Sequence, residues 1–198
     1  MRWSNRSRLI FPKVRRAAFE TARNETDVEQ RIEDIFGLFF PDDNFDSLFD
    51  RLYNVDVMFD LVRDGYLSEG QYRLLVTEWF RADMLNGGLV QTIGNKGWLM
   101  PEIVECLSSL GPTDLAENVA GMMGHIKDDI AEFDAVEGDL RNSAFRKAWR
   151  KFSETVRRKM ADTDEGRFLT NYDRWPIALI IAMLRYIDEN LGEFCLEN

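Results

Sequence analysis

One histidine and two cysteines are the whole supply of imidazole and thiol metal ligands in 198 residues. A lone His125 excludes a histidine-rich metal site. Cys106 and Cys195 stand too far apart for a metal knuckle or a disulfide framework, which favours a reduced, cytoplasmic setting. Long apolar runs are missing as well. The longest, Ile177 to Leu184, falls far short of the ~20 residues that span a membrane. Leu9-Ile10-Phe11, cut off by Pro12, is too short for a secretory apolar region. No Gly-x-Ser-x-Gly elbow occurs, and Gly94-Asn95-Lys96-Gly97 lacks the spacing and the hydroxyl of a phosphate loop. The expectation is a non-enzymatic protein with no catalytic residues, no cofactor and no metal.

What is abundant is acid. The net charge of −10 is unevenly spread. Residues 1–24 carry seven Lys/Arg against Glu20, and residues 141–160 carry eight against Glu154. Residues 25–140, by contrast, hold seven basic and twenty-five acidic groups, a net −18. An acidic body of that size repels nucleic acid and steers basic protein surfaces toward itself. The division expected is a basic N-terminal arm or peripheral helix over 1–24, then one all-helical acidic domain over 25–198.

Helical periodicity runs through nearly the whole chain, and no segment alternates with period two. Thr26 with Glu29 reads as a capping box before Val28, Ile32, Ile35 and Phe39. Asn44 opens a helix that ends at Gly65, and Ser68 with Gln71 opens one running to Asn86-Gly87-Gly88. Pro101 starts a short helix stopped by Gly111-Pro112, and Thr113 caps the next. A basic helix over roughly 140–160 turns Phe145, Trp149, Phe152, Val156 and Met160 inward. A last helix from Pro176 is apolar nearly all round, which implies burial or a subunit interface. The predicted fold is all-α, a single-domain bundle of roughly seven to eight helices.

Two features stand out as candidate sites. On the helix after Asn44, Asp46, Asp50, Asp56, Asp60 and Asp64 fall within an arc of about 120°, at 100° per residue. Like charges three or four apart destabilise a helix, and Tyr53, Val57 and Leu61 share the arc, so this face reads as a contact surface for Lys/Arg. A second acidic cluster from Asp128 to Asp139 sits beside the basic helix, which can neutralise it within the molecule. His125 is expected to pair with Asp128 or Asp129 on the helix surface. The other feature is Asn86-Gly87-Gly88 with Gln91, Asn95 and Gly97. Its turn chemistry favours a structural junction over a ligand grip.

The stretch Leu67-Ser68, Asn86-Gly87-Gly88-Leu89-x-Gln91, Asn95-x-x-Trp98 and Leu107-x-x-Leu110-Gly111 resembles the DNA-mimic-protein-like domain family of bacteria. Asp164-x-x-Arg167-Phe168 and Ile187-x-x-Asn190-x-x-Glu193-Phe194 look like its closing elements, so the resemblance spans about 65–195. The Asn-Gly-Gly core is its most specific part. Leu85, Leu89 and Thr92 depart from the family pattern, as in a divergent member.

The resemblance implies an all-helical fold and, as in the family's named member, an acidic dimer that occupies the DNA-binding surface of a transcription factor. Some relatives look like immunity proteins beside toxins. In this family the Asn-Gly-Gly core reads as structural: Gly87 allows a left-handed turn, Gly88 allows close packing, and Asn86, Gln91 and Asn95 tie up backbone groups. The leading expectation is therefore an acidic protein, a homodimer if it follows the resemblance, that binds a basic protein partner and neither nucleic acid nor membrane. An immunity protein neutralising a toxin is the second reading. The third is a small-ligand or enzymatic domain centred on Asn86, Gln91 and Asn95, which requires a solvent-open pocket lined by those amides.

Overall fold

The computed structural model describes residues 13–39, 67–136 and 141–196. Within them the chain is all-α: nine α-helices, one 3-10 turn and a two-stranded pairing of two residues each. The helix expected over 44–65, with its five aspartates, lies outside the described residues. Two compact units emerge, Met1–Glu78 with Ile177–Asn198, and Trp79–Pro176.

In the first unit, β1 (Val14–Arg15) leads into α1 (Arg16–Arg23), then α2 (Val28–Phe39) and the start of α3 (Glu69–Lys96). Phe19 of α1 is 1% exposed, and Ile32 and Ile35 of α2 are fully buried. The start of α2 differs from expectation. The Asp27 carboxylate, one residue after Thr26, receives Gln30 N–H at 2.9 Å. Glu25 receives the N–H groups of Thr26 and Asp27, and the Asp27 bond in particular holds its carboxyl below the usual range.

α3 opens as the spacing predicts. Gln71 N–H donates to Ser68 Oγ and Ser68 N–H to Gln71 Oε1, both at 3.1 Å, a reciprocal capping box. α8 (Pro176–Glu189), α9 (Leu191–Phe194) and β2 (Cys195–Leu196) return the chain to this unit. Val14 pairs with Cys195 and Arg15 with Leu196 in parallel register. Glu193 accepts from Gly70 N–H at 2.6 Å, and Asp188 pairs with Arg23 at 2.9 Å. α8 is not buried all round. Leu179, Ile180, Met183 and Ile187 are fully buried, whereas Ile177 and Ile181 are 43% and 45% exposed.

The second unit holds the rest of α3, a 3-10 turn (Gly97–Leu99), α4 (Met100–Leu110), α5 (Thr113–Asp134), α6 (Ser143–Asp162) and α7 (Asp164–Leu169). Pro101 occupies the first turn of α4, and Gly111 ends it in the left-handed conformation at φ 103°. Thr113 is the first helical residue of α5 rather than its cap; Pro112 takes the cap position and supplies no side-chain bond. α4 packs on α5, and α5, α6 and α7 pack on one another. The basic helix buries Phe152, Val156 and Met160 and leaves its cations outward.

Asn142 caps α6, its Oδ1 accepting from Ala144 N–H at 2.8 Å and Phe145 N–H at 3.3 Å. Asn142→Ala is expected to cost about 1 kcal/mol in urea unfolding, as a shifted midpoint with unchanged slope.

Candidate functional site

The Asn-Gly-Gly segment breaks the helix where the sequence places the break: α3 joins two helical stretches across a kink at Gly88. α3 runs on to Lys96 with a single non-helical residue inside it, Gly88 at φ 70°, ψ −169°. That region of backbone space is open essentially to glycine alone. The two glycines have exchanged the roles expected of them. Gly88 supplies the positive φ, whereas Gly87 is the close approach, since a Cβ there would lie 2.1 Å from Gln91 Oε1. Beyond the kink, Thr92 Oγ1 donates to Gly88 O at 3.2 Å as the helix resumes.

The amides are held by a side chain rather than by backbone. Gln91 Nε2 donates to Asp83 Oδ1 at 3.4 Å, and Asn95 Nδ2 donates to the same oxygen at 3.2 Å. Asp83 is 8% exposed and sits one turn before the kink, so one buried carboxylate clips the two halves of the bend together. Sequence reasoning missed it. The available signal was an acid amid the buried Trp79, Phe80 and Met84, followed by amides eight and twelve residues on. Asn86 is exposed, and Gln91, Asn95 and Gly97 are half-buried.

Around the kink lie two cavities. The larger, about 450 Å³, has Gly87, Val90, Gln91, Gly94 and Asn95 on one side. Opposite are Phe133 of α5 and Phe145, Trp149 and Arg157 of α6. Phe133 is the hub of the aromatic wall, with ring centroids 5.2 Å from Phe145, 5.4 Å from Trp149 and 5.1 Å from Phe152. Gly94 admits the indole: a Cβ there would come within 2.4 Å of the Trp149 ring. The second cavity, about 350 Å³, shares Gly87, Val90 and Arg157 and extends to Met160 and Tyr172. Burial pushes the Tyr172 hydroxyl above its ordinary pKa. Of the three amides on which the third reading centres, Gln91 and Asn95 line the larger cavity and Asn86 lines the smaller one.

Elsewhere in this unit several charges pair internally. Lys159 reaches Asp129 at 2.6 Å and Lys151 reaches Glu132 at 2.5 Å, so α6 neutralises part of the acidic end of α5. His125 faces Glu165 at 3.5 Å, not Asp128 or Asp129; Lys159 occupies Asp129. No group of three His, Cys, Asp or Glu among the described residues is placed to hold a metal. No described helix is long and apolar enough to cross a membrane.

Comparison with curated proteins and with solved structures found no match. Residues 65–189, from just before the capping box of α3 to the last residue of α8, match the DMP19-like protein family, with the kinked helix, the cavity walls and the α5–α6 ion pairs all inside the matched region. On that match the chain belongs to the family of DMP19-like proteins.

Proposed function

We propose that this chain is an acidic protein that binds a basic protein surface, and that the surface it covers is the DNA-binding face of a regulator. The observation that carries this reading is the net −18 of residues 25–140. Membership of the DMP19-like family supports it.

The ion pairs of α5 and α6 narrow the choice of site. Asp129 and Glu132 are engaged by Lys159 and Lys151, so that cluster offers a partner less unbalanced charge than its composition suggests. The row Asp46, Asp50, Asp56, Asp60 and Asp64 has only Arg51 and Arg63 nearby in sequence. Its spacing along one helical face would present carboxylates to Lys/Arg much as a phosphate backbone does.

Exposed charges separated by more than about 10 Å are screened at 0.1 M salt, so such a complex dissociates on a modest salt gradient. The test is affinity capture from the native host at low salt with salt elution, using the wild-type chain beside a variant with Asp50, Asp60 and Asp64 changed to Lys. A Lys/Arg-rich DNA-binding protein is expected on the wild type, with affinity at least about tenfold lower on the variant. Equal retention of that partner by the variant would overturn the site assignment, and a partner lacking basic surface would overturn the function.

A further inference from the structure

The larger cavity beside the Gly88 kink has the features of a ligand site, independently of the acidic face. Its volume of about 450 Å³ falls within the range of small-molecule pockets, roughly 300–1,000 Å³. Three half-buried rings, Phe133, Phe145 and Trp149, line it and keep part of their apolar faces toward solvent. Across from them stand the Gln91 and Asn95 amides, whose orientation the Asp83 carboxylate fixes, so hydrogen-bonding groups are pre-set beside an aromatic wall. The single charged lining residue is Arg157. It is exposed and forms no ion pair or hydrogen bond among the described residues, although Lys151 and Lys159 on the same helix are both paired.

We propose that this cavity binds a small planar aromatic anion, an aromatic carboxylate of one or two fused rings. The ring system stacks or packs edge-on against Phe133, Phe145 and Trp149, the carboxylate takes the two-pronged guanidinium of Arg157, and the amides meet the polar edge. Arg157 decides the sign: it repels an ammonium and attracts a carboxylate. The aromatic wall decides the shape, because a compact inorganic anion leaves those rings uncovered.

The test uses the full chain with 2-naphthoate as probe and its neutral isostere 2-naphthamide as control, titrated calorimetrically. Amide NMR follows the side-chain NH₂ groups of Gln91 and Asn95. Saturable one-to-one binding of 2-naphthoate that shifts both NH₂ groups is expected. Affinity should fall about tenfold for 2-naphthamide, and about tenfold for 2-naphthoate on Arg157→Gln, the scale of a charge-assisted bond. Arg157→Lys keeps the charge without the fork and should fall between wild type and Arg157→Gln. Phe145→Ala tests the aromatic wall and should weaken both probes alike. The proposal is overturned by absence of saturable naphthoate binding, by equal affinity for the two probes, or by binding that leaves the Gln91 and Asn95 signals unmoved.

Discussion

Gly166→Ala should cost about 3 kcal/mol, the largest single-methyl effect expected among the described glycines. A Cβ at this position would lie 2.1 Å from the carbonyl oxygen of Met160, 2.3 Å from its Cα and 2.5 Å from its carbonyl carbon. All three atoms are main chain, so no rotamer change relieves the clash. The last turn of α6 and the first of α7 would have to part. That movement would disturb Thr163, whose backbone N–H bonds back to Lys159 and whose Oγ1 accepts from Gly166 N–H at 3.1 Å. Urea unfolding measures the loss. Gly124→Ala in α5 is the control, because nothing lies within 4 Å of its Cβ and the substitution should stabilise by about 0.5–1 kcal/mol. A Gly166→Ala protein within about 1 kcal/mol of wild type would show that the junction gives way easily.

Gly88→Ala comes next, at about 1–3 kcal/mol, and for a different reason. Here space is not the obstacle, since the nearest atom to a Cβ is the Tyr172 hydroxyl at 3.4 Å, an ordinary contact. The cost is in the backbone, held at φ 70°, ψ −169°. A residue with a Cβ pulls that peptide back toward helical angles, and straightening the bend separates Asp83 from Gln91 and Asn95. The variant is therefore expected to lose stability and to move the side-chain NH₂ signals of both amides together. Stability loss with those signals unmoved would mean that the kink and the Asp83 bonds are not coupled.

The elements legible in the sequence are those with local causes. Ser68 and Gln71 meet as a capping box because both partners lie within one turn. Gly111 stops α4 because its own backbone conformation does so. The stripe of α6 is legible because Phe152, Val156 and Met160 recur at helical spacing. Elements that depend on distant partners were not legible. α7 is six residues long and α9 four, too short for periodicity to register. β1 exists because Cys195 and Leu196 arrive beside it, which two residues of pattern cannot announce.

The candidate site divides in the same way. Gly87, Gly88, Gln91 and Asn95 draw the eye by residue type, but which glycine bends and which yields room depends on where the Gln91 side chain lies. Asp83 was missed because its signal, an acid among apolar neighbours, is faint in an acidic chain, and its role depends on the bend that turns two amides onto it.

The Asp83 clip also bears on the order in which the chain folds. Its bonds close over eight and twelve residues, whereas the Lys13–Gly192 bond beside the β1–β2 pairing closes over 179. Closure entropy rises with the length of the loop, and contacts between near neighbours form before distant ones reward the chain. The kinked segment can therefore take its shape while the surrounding helices are still assembling, and it gives them a bent template. The pairing of the two ends comes late.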